Sequence, residues 1–148
     1  MLHAIKMKSE IKIRVLDIDQ GDDTIHFQVY FSNELCSTTL EFYGYSDEFQ
    51  DFACNLTDFP KSTKDKATYE LGEKGNKWAY YLLVEAYCIE PNGLSALRIE
   101  ATRNGNGPAY HDSKFEIKSE PASLNRLGNR LKTWNPLEEK VFEWEPTE

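Results

Sequence analysis

From Trp78 to Ile89 the chain runs Trp78-Ala79-Tyr80-Tyr81-Leu82-Leu83-Val84-Glu85-Ala86-Tyr87-Cys88-Ile89, apolar at nearly every position with one acid inside. A half-exposed strand alternates apolar and polar residues, whereas a strand covered on both faces reads as a continuous apolar run. The segment predicts a central strand, and Glu85 is the residue such a strand must accommodate. Earlier in the chain the alternation is plain. Ile11, Ile13 and Val15 alternate with Lys12 and Arg14, and Gly21-Asp22-Asp23 makes a turn. Ile25, Phe27, Val29 and Phe31 then alternate with His26, Gln28 and Tyr30. After Ser32-Asn33, Leu35 to Tyr45 supplies a third strand with Leu40 and Phe42 inward. Connections this short join antiparallel neighbours.

The period then changes. Phe49, Phe52, Ala53 and Leu56 recur at helical spacing, with Ser46 as a candidate N-cap, Asp47 and Glu48 in the first turn and Pro60 beyond the end. An aromatic stripe at this spacing is core. Lys61 to Lys66 is a polar loop, Thr68 to Leu71 a short strand, and Gly72-Glu73-Lys74-Gly75-Asn76 turns into the apolar run. Pro91-Asn92-Gly93 returns the chain into Ser95 to Arg103, and the loop Asn104 to Pro108 leads to a last strand, Asp112 to Lys118. A second helix, capped by Ser119 or Ser123, aligns Leu124, Leu127, Leu131 and Trp134, and Gly128 weakens it. From Asn135 an acidic tail docks through Val141, Phe142 and Trp144. The order predicts one α+β domain over 1–148, with a mainly antiparallel sheet of about six to seven strands and two helices on one face.

The turn after the apolar run decides what Glu85 faces. A three-residue loop, suited to Pro-Asn-Gly, places Glu85 opposite Ile99 in the core and Tyr87 opposite Leu97. A two- or four-residue loop places Val84 opposite Ala101 and Glu85 opposite Glu100. Burying an unpaired carboxylate costs several kcal/mol, and losing an ideal turn roughly one. The second register is therefore expected, with even-numbered residues from Trp78 to Cys88 inward. It sets Tyr81, Leu83, Glu85 and Tyr87 beside Arg98, Glu100 and Thr102, extended by Lys114, Glu116 and Lys118, with Tyr30 and His26 joining from the first meander. Tyr and Arg are enriched among interface anchors, so the candidate partner-binding face is Tyr81, Glu85, Tyr87, Arg98, Glu100, Tyr30 and His26. The competing reading is a face covered by the tail and laced with cross-strand pairs.

Charge and composition narrow the classes. A net charge of −8 disfavours sequence-independent nucleic-acid binding and would steer a basic partner inward. Arg126, Arg130 and Lys132 suit the C-terminal end of a helix. No stretch has the length and hydropathy of a membrane span, and residues 1–8 lack the apolar core of a signal peptide. Cys36, Cys54 and Cys88 have no paired spacing and read as buried free thiols of a reducing cytosol. His3, His26 and His111 lack a second ligand at metal spacing, so no metal and no cofactor are expected. Gly105-Asn106-Gly107-Pro108 reads as a hairpin turn. Glu85 opposite Glu100 would form a like-charge couple able to serve acid–base chemistry, although Arg98 and Lys114 are placed to neutralise it.

Two segments, Trp78 to Tyr87 and Glu120-Pro121-Ala122-Ser123-Leu124-Asn125-Arg126-Leu127-Gly128, together with the element order, resemble small bacterial domains found as uncharacterised proteins or as immunity proteins of polymorphic toxin systems. That resemblance implies a non-enzymatic cytoplasmic protein that neutralises a toxin by direct binding, and it carries over no functional residue. Two other readings stand beside it: a small-molecule binding protein or enzyme with a pocket near Glu85, and a homo-oligomeric domain.

Overall fold

A computed structural model describes residues 7–75 and 78–146 of the chain; His3 and Asn76 lie outside them. The first meander is β1 (Ser9–Ile18), β2 (Ile25–Asn33) and β3 (Ser37–Gly44), followed by α1 (Gln50–Leu56). Then come β4 (Lys66–Gly72), β5 (Tyr80–Cys88), β6 (Ser95–Arg103), β7 (His111–Ser119), α2 (Pro121–Thr133) and β8 (Val141–Trp144). The α+β class and the antiparallel pairing are as expected. Among the described residues the strands number eight, and they divide into two four-stranded sheets, β3-β2-β1-β8 and β4-β5-β6-β7.

Each sheet has one apolar face, and burying the two against each other and the helices gives a common core. Ile11, Phe27, Val29 and Phe42 from the first sheet cluster with Leu82, Val84, Ile99 and Ile117 from the second. Phe52, Ala53 and Leu56 of α1 and Leu124, Leu127 and Leu131 of α2 close the same cluster. The tail joins the first sheet: β8 pairs with β1, setting Ile13 opposite Phe142 and Ile11 opposite Trp144. Phe142 and Trp144 are buried, while Val141 points outward. Both buried indoles find acceptors, Trp144 on the Ser123 carbonyl and Trp134 on the Glu139 carbonyl, each at 3.0 Å.

Several local expectations are corrected. No serine caps a helix: Phe49 and Glu120 stand at the N-caps without side-chain bonds, and Pro121 opens α2, where a missing N–H costs nothing. The Ser123 hydroxyl donates instead to the Pro146 carbonyl at 2.7 Å. Cys36 and Cys54 are exposed and Cys88 is half-buried, so none is a buried thiol. Cys54 falls on the solvent side of α1, off the stripe of Phe52, Ala53 and Leu56. Trp78 precedes β5 and is exposed, so the apolar run outlasts the strand it predicts.

Candidate functional site

The β5–β6 connection is a four-residue loop. The Ile89 N–H donates to the Leu94 carbonyl at 2.7 Å, and the Gly93 N–H to the Glu90 carbonyl at 3.1 Å. Gly93 takes φ 93°, a left-handed conformation that favours glycine. This loop keeps Leu82, Val84 and Ala86 inward against Ala101, Ile99 and Leu97, so the even-numbered strand residues fill the core. The pairs themselves are shifted by two residues from the expectation. Val84 faces Ile99, and Glu85 faces Arg98 rather than Glu100. A shift of two leaves every side chain on its own face, yet it replaces a like-charge couple with an opposite-charge one.

On the outer face Arg98 is the hub. Its guanidinium meets the Glu85 carboxylate at 3.1 Å and lies 4.4 Å over the Tyr87 ring. The other Glu85 oxygen accepts from the Thr68 hydroxyl at 2.9 Å. Tyr87 donates to Glu116 on β7, and that bond, with some burial, pushes its phenol above its ordinary value. Glu100 binds Lys74 at 2.8 Å. Tyr81 is only 4% exposed and donates to Glu70 at 2.6 Å, and burial followed by that bond raises its phenol as well. Glu85, Tyr87, Arg98 and Glu100 thus share one surface, with Leu83 half-buried among them, whereas Tyr81 lies on the same side of the sheet but is buried beneath Lys74 and Glu70. Their charges are matched pairwise, and no acid–base couple forms between Glu85 and Glu100.

The other two candidates stand apart. His26 and Tyr30 occupy the outer face of β2, in the first sheet. His26 stacks on Tyr43 with ring centroids 4.6 Å apart and meets Glu41 at 3.0 Å. His111 bonds the Thr38 hydroxyl at 2.9 Å. Thr68, Glu70 and Lys74 complete the second face; the sequence places them on a strand and its turn but not at the site, because only the β4–β5 pairing sets Thr68 opposite Glu85 and carries the following turn with Lys74 to Glu100.

Outside its own strands the second sheet meets α1 at β4, β2 at β7 and β3 at β6, and Leu127 and Leu131 of α2 pack with Leu82 and Val84; the tail strand β8 pairs with β1. Inside, the space between sheets and helices shrinks to a cavity of about 20 Å³ lined by apolar side chains such as Val29, Phe52, Val84 and Leu127 and by Tyr69, room for about one water. Among the described residues no group of three or more His, Cys, Asp or Glu could hold a metal ion, and no helix is long and apolar enough to cross a membrane.

No protein-family model and no curated protein matches the sequence. Among solved structures, the plant transcriptional regulator PBF-2 is similar over 88% of this chain and 79% of its own, at 10% identity and a TM-score of 0.45. At that identity and score the likeness assigns nothing to this chain.

Proposed function

We propose that this chain is a non-enzymatic, cytoplasmic protein of bacterial type that neutralises a toxin by direct binding, and that the outer face of the second sheet contacts the toxin. One observation carries the reading: Arg98, Tyr87 and Glu85 are held in fixed geometry at the centre of a four-stranded face. Preorganised Arg and Tyr side chains lose little freedom on binding, which is what makes such residues anchors. A pocket enzyme finds less support, since the Glu85 carboxylate is taken up by Arg98 and Thr68 and the cavity between the sheets and helices is small and apolar.

The experiment is co-expression with a basic catalytic toxin domain encoded beside this gene. Growth rescue and co-purification are expected. Arg98→Glu should weaken the complex about a hundredfold, the scale of an interface anchor, and should also lower stability by about 1–3 kcal/mol, because it leaves the largely buried Glu85 carboxylate unpaired and facing a like charge. Rescue that survives both Arg98→Glu and Tyr87→Ala would remove the face from the proposal. Absence of any neighbouring toxin gene together with no rescue would remove the function.

A further inference from the structure

Among the described residues β3 is an edge strand, paired with β2 alone. The Asn33 N–H donates to the Cys36 carbonyl at 3.0 Å, closing the β2–β3 hairpin. Antiparallel pairs alternate between bonded and non-bonded, so from that bonded pair Thr38, Leu40 and Phe42 exchange main-chain bonds with β2. The N–H and C=O groups of Thr39, Glu41 and Tyr43 consequently point away from the sheet. All three residues are exposed, and no lysine, proline or register shift blunts the edge, although edges commonly carry such protection. A groove of about 430 Å³ runs beside it. Thr39 and Glu41 from one face of the strand line this groove together with Leu40 from the other, so it lies along the edge itself. Tyr80, Arg103 and Asn104 form its far wall.

The other edges are less open. The Asn33 amide already donates to the Glu116 carbonyl of β7 at 2.9 Å. β4 carries Lys66 on its rim, and β8 is four residues long.

Charge selects the occupant. Between Arg14 and Lys61 the sequence holds ten acids and no lysine or arginine, while the rest of the chain carries 17 cations against 15 acids. The net negative charge of the protein therefore resides in the stretch that builds β2, β3 and α1. A second copy would set this stretch against itself. We propose that β3 accepts an extended, lysine- or arginine-bearing segment of a partner protein as a fifth strand of the first sheet, the main chain supplying the ladder and the acidic flank the preference for basic side chains. Exposed Tyr43 and Tyr45 offer apolar contacts along the same border. Arg103, a cation on the far wall, presents donors to carbonyls of the added strand. The edge strand belongs to a different sheet from the Arg98 face, and the second sheet contributes only the strand ends Tyr80 and Arg103 to the far wall of the groove.

The test uses a synthetic alternating Lys–Val peptide of about nine residues, longer than a typical strand, and its Glu–Val counterpart, with amide hydrogen exchange followed residue by residue. The Lys–Val peptide is expected to slow exchange at Thr39, Glu41 and Tyr43. Its affinity should fall about tenfold or more in Thr39→Pro, which removes an edge N–H but no bond to β2, and likewise in Glu41→Lys, which keeps the edge intact if the proline variant fails to fold. Arg98→Glu should leave peptide binding unchanged, separating this inference from the proposed function. Protection at β4 or β8 instead, equal binding of the Glu–Val peptide, no protection at millimolar peptide, or a wild-type dimer joined through β3 would each overturn it.

Discussion

Tyr69 projects from β4 into the packing between α1 and the core, beside Phe49 and Phe52, and its hydroxyl donates to Glu48 at 2.8 Å. Burial raises its phenol well above the ordinary value of 10.0, and the adjacent Glu48 charge adds to this. Such a phenol stays neutral in the folded chain at pH values where the unfolded chain ionises it. Its stabilising contribution is complete below pH 10 and is lost as pH rises further, at about 1.4 kcal/mol per pH unit. Tyr81 and Tyr87 shift in the same direction. Urea unfolding from pH 8 to pH 11 should therefore show falling stability above about pH 10. Tyr69→Phe should cost about 1 kcal/mol at neutral pH through the lost hydrogen bond and make the alkaline decline shallower; an unchanged slope would assign that decline to other groups. Residue-scale chemistry of this kind was only half legible in the sequence. That Glu85 turns outward followed from the cost of burying it. That it meets Arg98 did not, because a two-residue slip leaves the apolar pattern untouched and only the loop geometry distinguishes the partners.

At the scale of elements, α1 and α2 pack so closely that a Cβ on Gly128 would stand 2.7 Å from the Ala53 carbonyl oxygen and 2.7 Å from the Leu56 Cβ. The glycine that weakens α2 as an isolated helix is what lets it lie against α1. Gly128→Ala gains about 1 kcal/mol of helix propensity and incurs about 1–3 kcal/mol of overpacking. Backbone atoms form part of the obstacle, so the expected result in denaturant melts is a net loss of about 1–2 kcal/mol; a stabilised variant would mean that α1 yields readily. Strand existence was readable wherever alternation was strict, as in β2. The division into two sheets was not, because a period of two states which residues share a face and nothing about which strands are neighbours. That β8 docks was foreseeable from Phe142 and Trp144, but its neighbour β1 lies at the far end of the sequence. The same gap placed His26 and Tyr30 with Tyr81 and Tyr87 in the sequence reading, whereas the fold assigns them to different sheets.

For the whole molecule, the β1–β8 pairing has a consequence in time. The second sheet is assembled from three consecutive hairpins, each closed by a short stretch of chain, whereas Ile13 and Phe142 must find each other across nearly the entire sequence. Loop-closure entropy makes such a meeting late. β8 is therefore expected to dock after the folding transition state, onto a β1 already held by β2. Phe142→Ala should cost about 3–5 kcal/mol, and in stopped-flow chevrons nearly all of that loss should appear as faster unfolding with refolding little changed. Slower refolding would instead place the closure inside the nucleus. On this ordering, the strand that completes the first sheet sets how long the folded state lasts rather than how quickly it forms.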